Sequence, residues 1–270
     1  RHLLDSLHGV GLAGAGLPVG EAGEDAAVHT LAALRDVARG RAGGAGRRAG
    51  CRSAGGGALR AARDPARSAV LAPDPDLGYL YISPNITGEV GKTYTLSVVT
   101  PEGFVAGAAT TIAPPVSLDS LWFKIQPEKD SLGWTWARLT DPPQSGNAYR
   151  WFAKRLGKDD DFVTPTGSVF EDKFFNGLSF DLVYNRGKVP NSTAEDDQNE
   201  EEGYFKTGDT IVVKFASITQ ESFDFWRAAE TQSSSNGNPF GSASPLKSNV
   251  TGAIGIWEGF SYSLDTVIAQ

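Results

Sequence analysis

The sequence predicts a mainly β fold, an antiparallel β-sandwich or partly open barrel with one helix packed on it. Three observations predict this. From Gly78 on, apolar and polar residues alternate in short runs rich in Val, Ile, Thr and aromatics, as half-buried strands require. Turn signals built on Gly, Asn, Asp and Pro interrupt those runs about every 10 residues, a spacing typical of antiparallel β domains. One segment, near 220–232, carries an aromatic stripe at helical spacing, and such a stripe needs a sheet to lie on.

Residues 1–77 stand apart. Ala, Gly and Arg account for 42 of them, and Ile, Lys, Asn, Gln, Phe, Tyr and Trp are missing. An abrupt change of this kind marks a composition boundary. Two readings are open. In one, the segment is a disordered or weakly helical arm, with Val28, Leu31, Leu34 and Val37 near one face of a short helix over Ala26–Ala38. In the other it is non-native, because inflated Ala, Gly and Arg are what a GC-rich gene yields when read out of frame. Translating the parent DNA in all frames decides between them. Cys51 follows Ala49-Gly50 but has no apolar stretch before it, so it does not read as a lipid-attachment site. Any lipid anchor, like any secretion signal, is expected upstream. The chain has no methionine, which suits a fragment or a processed product.

From Gly78 the elements follow in order. Tyr79–Ile82 begins a strand. Thr93–Val99 alternates, with Tyr94, Leu96 and Val98 on one face, and Phe104–Ile112 is a further strand. Ala113-Pro114-Pro115-Val116 reads as a stiff linker. Leu121–Ile125, Gly133–Leu139 and Tyr149–Lys154 are strands, the second placing Trp134, Trp136 and Arg138 on one face. Asn176-Gly177 is a turn and Phe180–Tyr184 a strand. Val189–Glu202 is polar and acidic, and reads as a mobile insertion.

Gly203–Ser263 organises the rest. Thr210–Phe215 is β-branched and aromatic and follows the turn pair Gly208-Asp209. Ser217 and Gln220 have capping-box spacing. A helix over Gln220–Gln232 puts Phe223, Trp226 and Glu230 on one face and Phe225 with Ala229 on the next. Asn236-Gly237-Asn238-Pro239 breaks it. Gly252–Phe260 alternates small and large residues as a last strand, its glycines implying a close neighbour.

Those motifs carry a resemblance. GYFKTGDTIVVKF, the helix with Phe225-Trp226, SSNGNPF, SNV, GAIGIWEGF and the earlier DPP…GNAYRW resemble the Bacteroidota family defined by domain of unknown function 4249 (DUF4249), over about Gly78–Gln270. GEVGKTYTLSV resembles the last strands of that family's immunoglobulin-like first domain. The resemblance therefore implies a truncated immunoglobulin-like remnant over 78–116, with its earlier strands missing and its inner face uncovered, ahead of a main β domain over 117–270. It also implies an envelope lipoprotein, outer-membrane-associated, periplasmic or surface-exposed, whose partner is a TonB-dependent outer-membrane receptor. It brings no known activity.

The composition narrows function from another side. A formal net charge of −7 argues against nucleic acid as a partner. The sequence has no apolar run long enough for a membrane-spanning helix. His2, His8 and His29 all lie in the first segment, and Cys51 is the single cysteine, so Ser-His and Cys-His catalysis are excluded from the main domain. No phosphate-binding or dinucleotide motif appears, and no cofactor is expected. Asp159-Asp160-Asp161 and Glu195-Asp196-Asp197 read as solvated loop charge rather than calcium ligands. The expected role is thus a non-catalytic accessory or binding partner of an uptake receptor. The alternatives are a carbohydrate- or peptide-binding β module and, less favoured, a metal-assisted hydrolase. Tryptophan is chiefly core filler in β domains, but exposed rings can bind ligands. The residues expected at any ligand are Trp134, Trp136, Trp151, Asn236, Asn238 and Asn249, and two or more exposed rings along one groove would favour the module.

Overall fold

The computed structural model describes residues 25–31, 58–62, 68–73, 81–82, 88–99, 103–165, 167–187, 203–235 and 245–270. Its architecture is mainly β, with antiparallel sheets that do not close into a barrel and one α-helix among the described residues.

The first sheet contains β2 (Ala58–Ala62), β3 (Ser68–Pro73), β4 (Tyr81–Ile82), β5 (Thr93–Val99) and β6 (Val105–Thr111), in the order β4-β3-β2-β5-β6. In β5 the expected alternation holds: Tyr94, Leu96 and Val98 are buried and the residues between them exposed. Burial of every second side chain fixes the register, because a one-residue slip would turn all three outward.

The main domain has three layers. Its central sheet holds β9 (Ala148–Arg155), β10 (Val169–Glu171), β13 (Thr210–Ile218) and β14 (Ile256–Ile268), with β1 (Asp25–Leu31) paired to β14. A second sheet is built on β8 (Leu132–Thr140), which pairs with β7 (Ser120–Ile125), β11 (Ser179–Tyr184) and β12 (Phe205–Lys206). The helix α1 (Gln220–Ser235) covers the opposite face of the central sheet. Alternation along the central strands supplies both interfaces. Tyr149, Trp151, Ile211, Val213 and Phe215 face the β8 sheet, where Phe123, Ala137, Leu139 and Phe205 meet them. Ala148, Phe152, Ala216, Ile218, Ile256 and Phe260 face the helix, where they meet Phe223, Phe225, Trp226 and Ala229. A strand buried on both faces reads as a continuous apolar run, which is why TIVVKF and YRWFAK look denser than ordinary alternation.

Four expectations need revision. The weak helix over Ala26–Ala38 is instead a strand at Asp25–Leu31, running antiparallel from Asp25 opposite Tyr262 to Leu31 opposite Ile256. An isolated helix of that length is marginal, whereas the edge of β14 offers hydrogen-bond partners to one side of an extended backbone from Asp25 to Leu31. Other residues of the opening segment expected to be disordered form β2 and β3, and β2 pairs with β5; the rest of that segment lies outside the described residues. The inner face of β5 and β6 is not bare, since Ile112, Val250 and Trp257 cover it. The helix is capped by Thr219, whose Oγ1 accepts from the Ser222 N–H at 3.2 Å. Ser217 still belongs to β13, and its hydroxyl accepts from the Val116 N–H across 3.1 Å.

The last strand is also longer than its sequence suggests, reaching Ile268. Its first half lies between α1 and the first sheet. There the Trp257 Nε1–H donates to the Tyr94 carbonyl at 2.9 Å, and the Gly259 N–H donates to Thr110 Oγ1 at 3.1 Å. A Cβ at Gly259 would stand 2.9 Å from Ile112 Cγ1, so glycine here permits the close approach that its sequence implied.

Candidate functional site

The outward face of the β8 sheet gathers aromatic and charged side chains. Residues of even number on β7, and on β8 from Trp134 onward, point outward, and the register sets Trp122 opposite Trp136, Lys124 opposite Trp134 and Ser120 opposite Arg138. On the other side of β8, Asp181 lies opposite Arg138 and Val183 opposite Trp136. Trp122 and Trp136 stack with centroids 6.4 Å apart and planes 23° apart. Trp134 stacks on Tyr204 at 5.9 Å and 15°. All four rings are half-buried. The indole N–H groups of Trp134 and Trp136 are shielded and have no hydrogen-bond partner among the described residues, so what these two side chains show to solvent is hydrocarbon. The Lys124 ammonium lies 4.4 Å from the Trp136 centroid, and that of Lys129 lies 5.5 Å from the Tyr204 centroid. Arg138 donates from Nε and Nη2 to both oxygens of Asp181, at 2.8 and 3.2 Å. This bidentate bond lowers the pKa of Asp181 and raises that of Arg138. The face offers flat apolar area, cations and a fixed ion pair.

The six residues expected at a ligand separate. Trp134 and Trp136 come together on this face. Trp151 does not join them: it is wholly buried, stacked on Tyr184 at 4.7 Å and edge-on to Phe215 at 6.3 Å. Asn249 has a structural task. Its Oδ1 accepts from the Trp257 N–H at 2.9 Å, and its Nδ2 donates to the Trp257 carbonyl at 2.8 Å, so it mimics a paired strand residue. Asn236 and Asn238 lie outside the described residues. Sequence reasoning missed Lys124, Lys129, Asp181 and Tyr204, and it did not pair Trp122 with Trp136. Alternation in SLWFKI puts Trp122 and Lys124 on one side, but only the register against β8 says beside what.

A second concentration of charge lies under α1. Arg150, Lys214 and Glu258, on three adjacent strands, are all buried on the helix-facing side. Arg150 lies 3.7 Å from the Trp226 ring, and its Nε has no partner among the described residues. The Trp226 Nε1–H donates to Glu258 at 2.5 Å. Lys214 sits in a cage of Phe152, Phe162, Phe260 and Tyr262, its ammonium 4.5 to 5.9 Å from their centroids. Burial lowers the pKa of Lys214 to about 8, with Arg150 adding to the effect. Burial raises that of Glu258 against the pull of Arg150 and the Trp226 and Ser222 hydrogen bonds. Closed off beneath the helix, this cluster fixes α1 to the sheet.

The remaining acids hold loops. Asp172 accepts from the Gly146 and Asn147 N–H groups at 2.8 and 2.9 Å, and Asp141 from the Tyr149 hydroxyl and the Gly177 N–H. For Asp159, burial pushes the pKa up, but hydrogen bonds from the Arg155 side chain and backbone and the charge of Arg186 prevail and leave it lowered. Among the described residues no group of three or more His, Cys, Asp or Glu side chains is placed to hold a metal ion.

The family model described as domain of unknown function (DUF4249) matches residues 62–264. The chain belongs to this family. The DUF4249 match takes in β3, β4 and the last residue of β2, so it begins upstream of Gly78. It spans the aromatic face and the buried cluster alike, and leaves β1 outside. Comparison with curated proteins and with solved structures finds no match. Among the described residues no helix is long and apolar enough to cross a membrane.

Proposed function

We propose that the chain is a non-catalytic binding module of the cell envelope that takes carbohydrate on the outward face of the β8 sheet, as an accessory to a TonB-dependent outer-membrane uptake receptor. The observation that carries the binding reading is the pair of ring stacks, Trp122 with Trp136 and Trp134 with Tyr204, half-exposed on one sheet face. Flat rings give a sugar's C–H face a large, rigid contact area at low entropic cost. Carbohydrate is preferred over peptide because the rings lie on a sheet face, whereas extended peptides commonly add to a sheet edge through main-chain bonds. The receptor and the envelope setting are supported by the family resemblance.

The test is titration of the full chain with a panel of oligosaccharides, followed by calorimetry and tryptophan fluorescence. Trp122→Ala and Trp136→Ala are expected to abolish binding while leaving far-UV circular dichroism unchanged. Binding that survives both substitutions refutes the platform. Affinity capture of the full chain from envelope membranes tests the partner separately. Recovery of an outer-membrane receptor supports that part, and clean isolation without one counts against it.

A further inference from the structure

Among the described residues Phe174 is the most exposed large apolar side chain, at 86%. A lone exposed apolar residue is ordinary, but this one stands on a built prong. It ends a 3₁₀ turn, Asp172–Phe174, that leads from β10 towards β11. The chain after that turn packs against the β8–β9 loop, where Asn176 Nδ2 donates to the Pro143 carbonyl at 3.2 Å. Two buried carboxylates pin the pair of loops: Asp172 accepts from the N–H groups of Gly146 and Asn147, and Asp141 from that of Gly177. Phe175 also turns inward, onto Phe170 and Phe180. Phe174 and Leu178, itself 57% exposed, stay outside. Across 142–147 and 173–178 the one charged residue is Lys173. Beside the prong, Glu171 accepts from Gln220 Nε2 at 3.0 Å and faces Arg227 at 3.8 Å, and Asp119 accepts from the Thr140 hydroxyl. The exposed Glu221 belongs to α1.

We infer that this prong docks on a lipid bilayer, with Phe174 and Leu178 entering the boundary between headgroups and acyl chains and Lys173 meeting anionic headgroups. The prong carries what such a surface needs: apolar side chains already held in water, one cation, and acids withdrawn from the tip, where phosphate would repel them. Because hydrogen bonds fix the two loops beforehand, little order has to be gained on docking. β8 runs into the prong at Thr140 and β11 leaves it at Ser179, so a docked molecule would stand with those strands towards the bilayer and their outward face open to the side. The inference does not depend on the carbohydrate reading.

The test is co-sedimentation of the full chain with sucrose-loaded vesicles at millimolar lipid, made of phosphatidylethanolamine with phosphatidylglycerol, or of phosphatidylcholine alone. The wild type is expected to sediment with both, and more with the anionic vesicles. Phe174→Ser should lower the partition coefficient about ten-fold, the scale of one large apolar side chain taken out of water. Lys173→Gln should lower it about three- to five-fold on the anionic vesicles alone. Both side chains are exposed, so neither change should move the melting temperature. Phe174→Trp should keep binding, and its added fluorescence should be quenched by lipids brominated on the acyl chains. No vesicle binding by the wild type, equal binding by Phe174→Ser, or an added indole that the lipids leave unquenched would each overturn the inference. Self-association in sedimentation equilibrium that Phe174→Ser abolishes, without vesicle binding, would also overturn it and assign the prong to a second copy of the chain.

Discussion

Replacing Lys214 by methionine should make the protein more stable near neutral pH, and should remove one specific pH dependence. Lys214 is 7% exposed and its pKa falls from 10.5 to about 8. Groups facing it are Arg150 and Lys154 on β9, Glu258 on β14, and the four rings of its cage. A depressed lysine pKa means that the unfolded chain binds a proton the folded chain has shed. Between pH 8 and 10.5 stability therefore rises with pH, and below pH 8 the full cost of the buried ammonium is present. A shift of this size corresponds to about 3 kcal/mol. Attraction to Glu258 is already counted within it, so the cation remains a net burden. Methionine has similar length and no charge, and leaves Arg150 to balance Glu258. Urea denaturation of the wild type and of Lys214→Met at half-unit steps from pH 7 to 10.5 measures the difference directly. The variant should be about 1–3 kcal/mol more stable at pH 7, and the gap should close as pH approaches 10.5. A gap that stays constant over this range, or a variant less stable at pH 7, would refute the reasoning.

Other substitutions probe geometry. At Gly133 a Cβ would stand 2.2 Å from the Lys124 carbonyl and 2.5 Å from Phe123 Cζ; Gly133→Ala should cost about 2–3 kcal/mol in urea denaturation by forcing β7 away from β8, and a change under about 0.5 kcal/mol would show that the strands give way freely. Asp172→Ala leaves the N–H groups of Gly146 and Asn147 without their acceptor, so a loss of about 2–3 kcal/mol and faster proteolysis within 142–147 are expected. Trp257→Phe replaces the buried indole by a smaller ring and deletes the bond to the Tyr94 carbonyl, so the lost bond and the vacated space together predict a loss of about 2–4 kcal/mol and faster amide exchange along β5.

The β architecture was legible because both of its determinants are local. Alternation in TYTLSVV and continuous apolarity in TIVVKF depend only on which faces are buried, and the structure places them accordingly. The helix was legible for the same reason, its stripe needing no knowledge of its partner. What could not be read was pairing. Trp134 and Trp151 look alike in sequence, each set in a short aromatic strand, yet one lies on an outward face and the other between sheets. The difference lies in β9 being central, with a layer on either side, while β8 has a layer on one side only. Asn249 misled for a related reason: its amide looks free in a loop until the backbone of Trp257, eight residues on, arrives to use it. The charge cluster under α1 joins residues more than a hundred positions apart, and apart from the apolar runs around them, nothing in the sequence marks Arg150, Lys214 or Glu258 as interior.

With its indole wedged into the β5–β6 layer and its backbone hydrogen-bonded to β13, the closing strand makes the two halves of the molecule mechanically inseparable. Nicking the Ala113–Val116 connection should therefore give not two free fragments but a noncovalent pair that co-elutes on a sizing column. It should dissociate only when denaturant melts both pieces together. Any ligand gripped by the β8 sheet would then strain a single cooperative body, and a pull on either end would be felt throughout it.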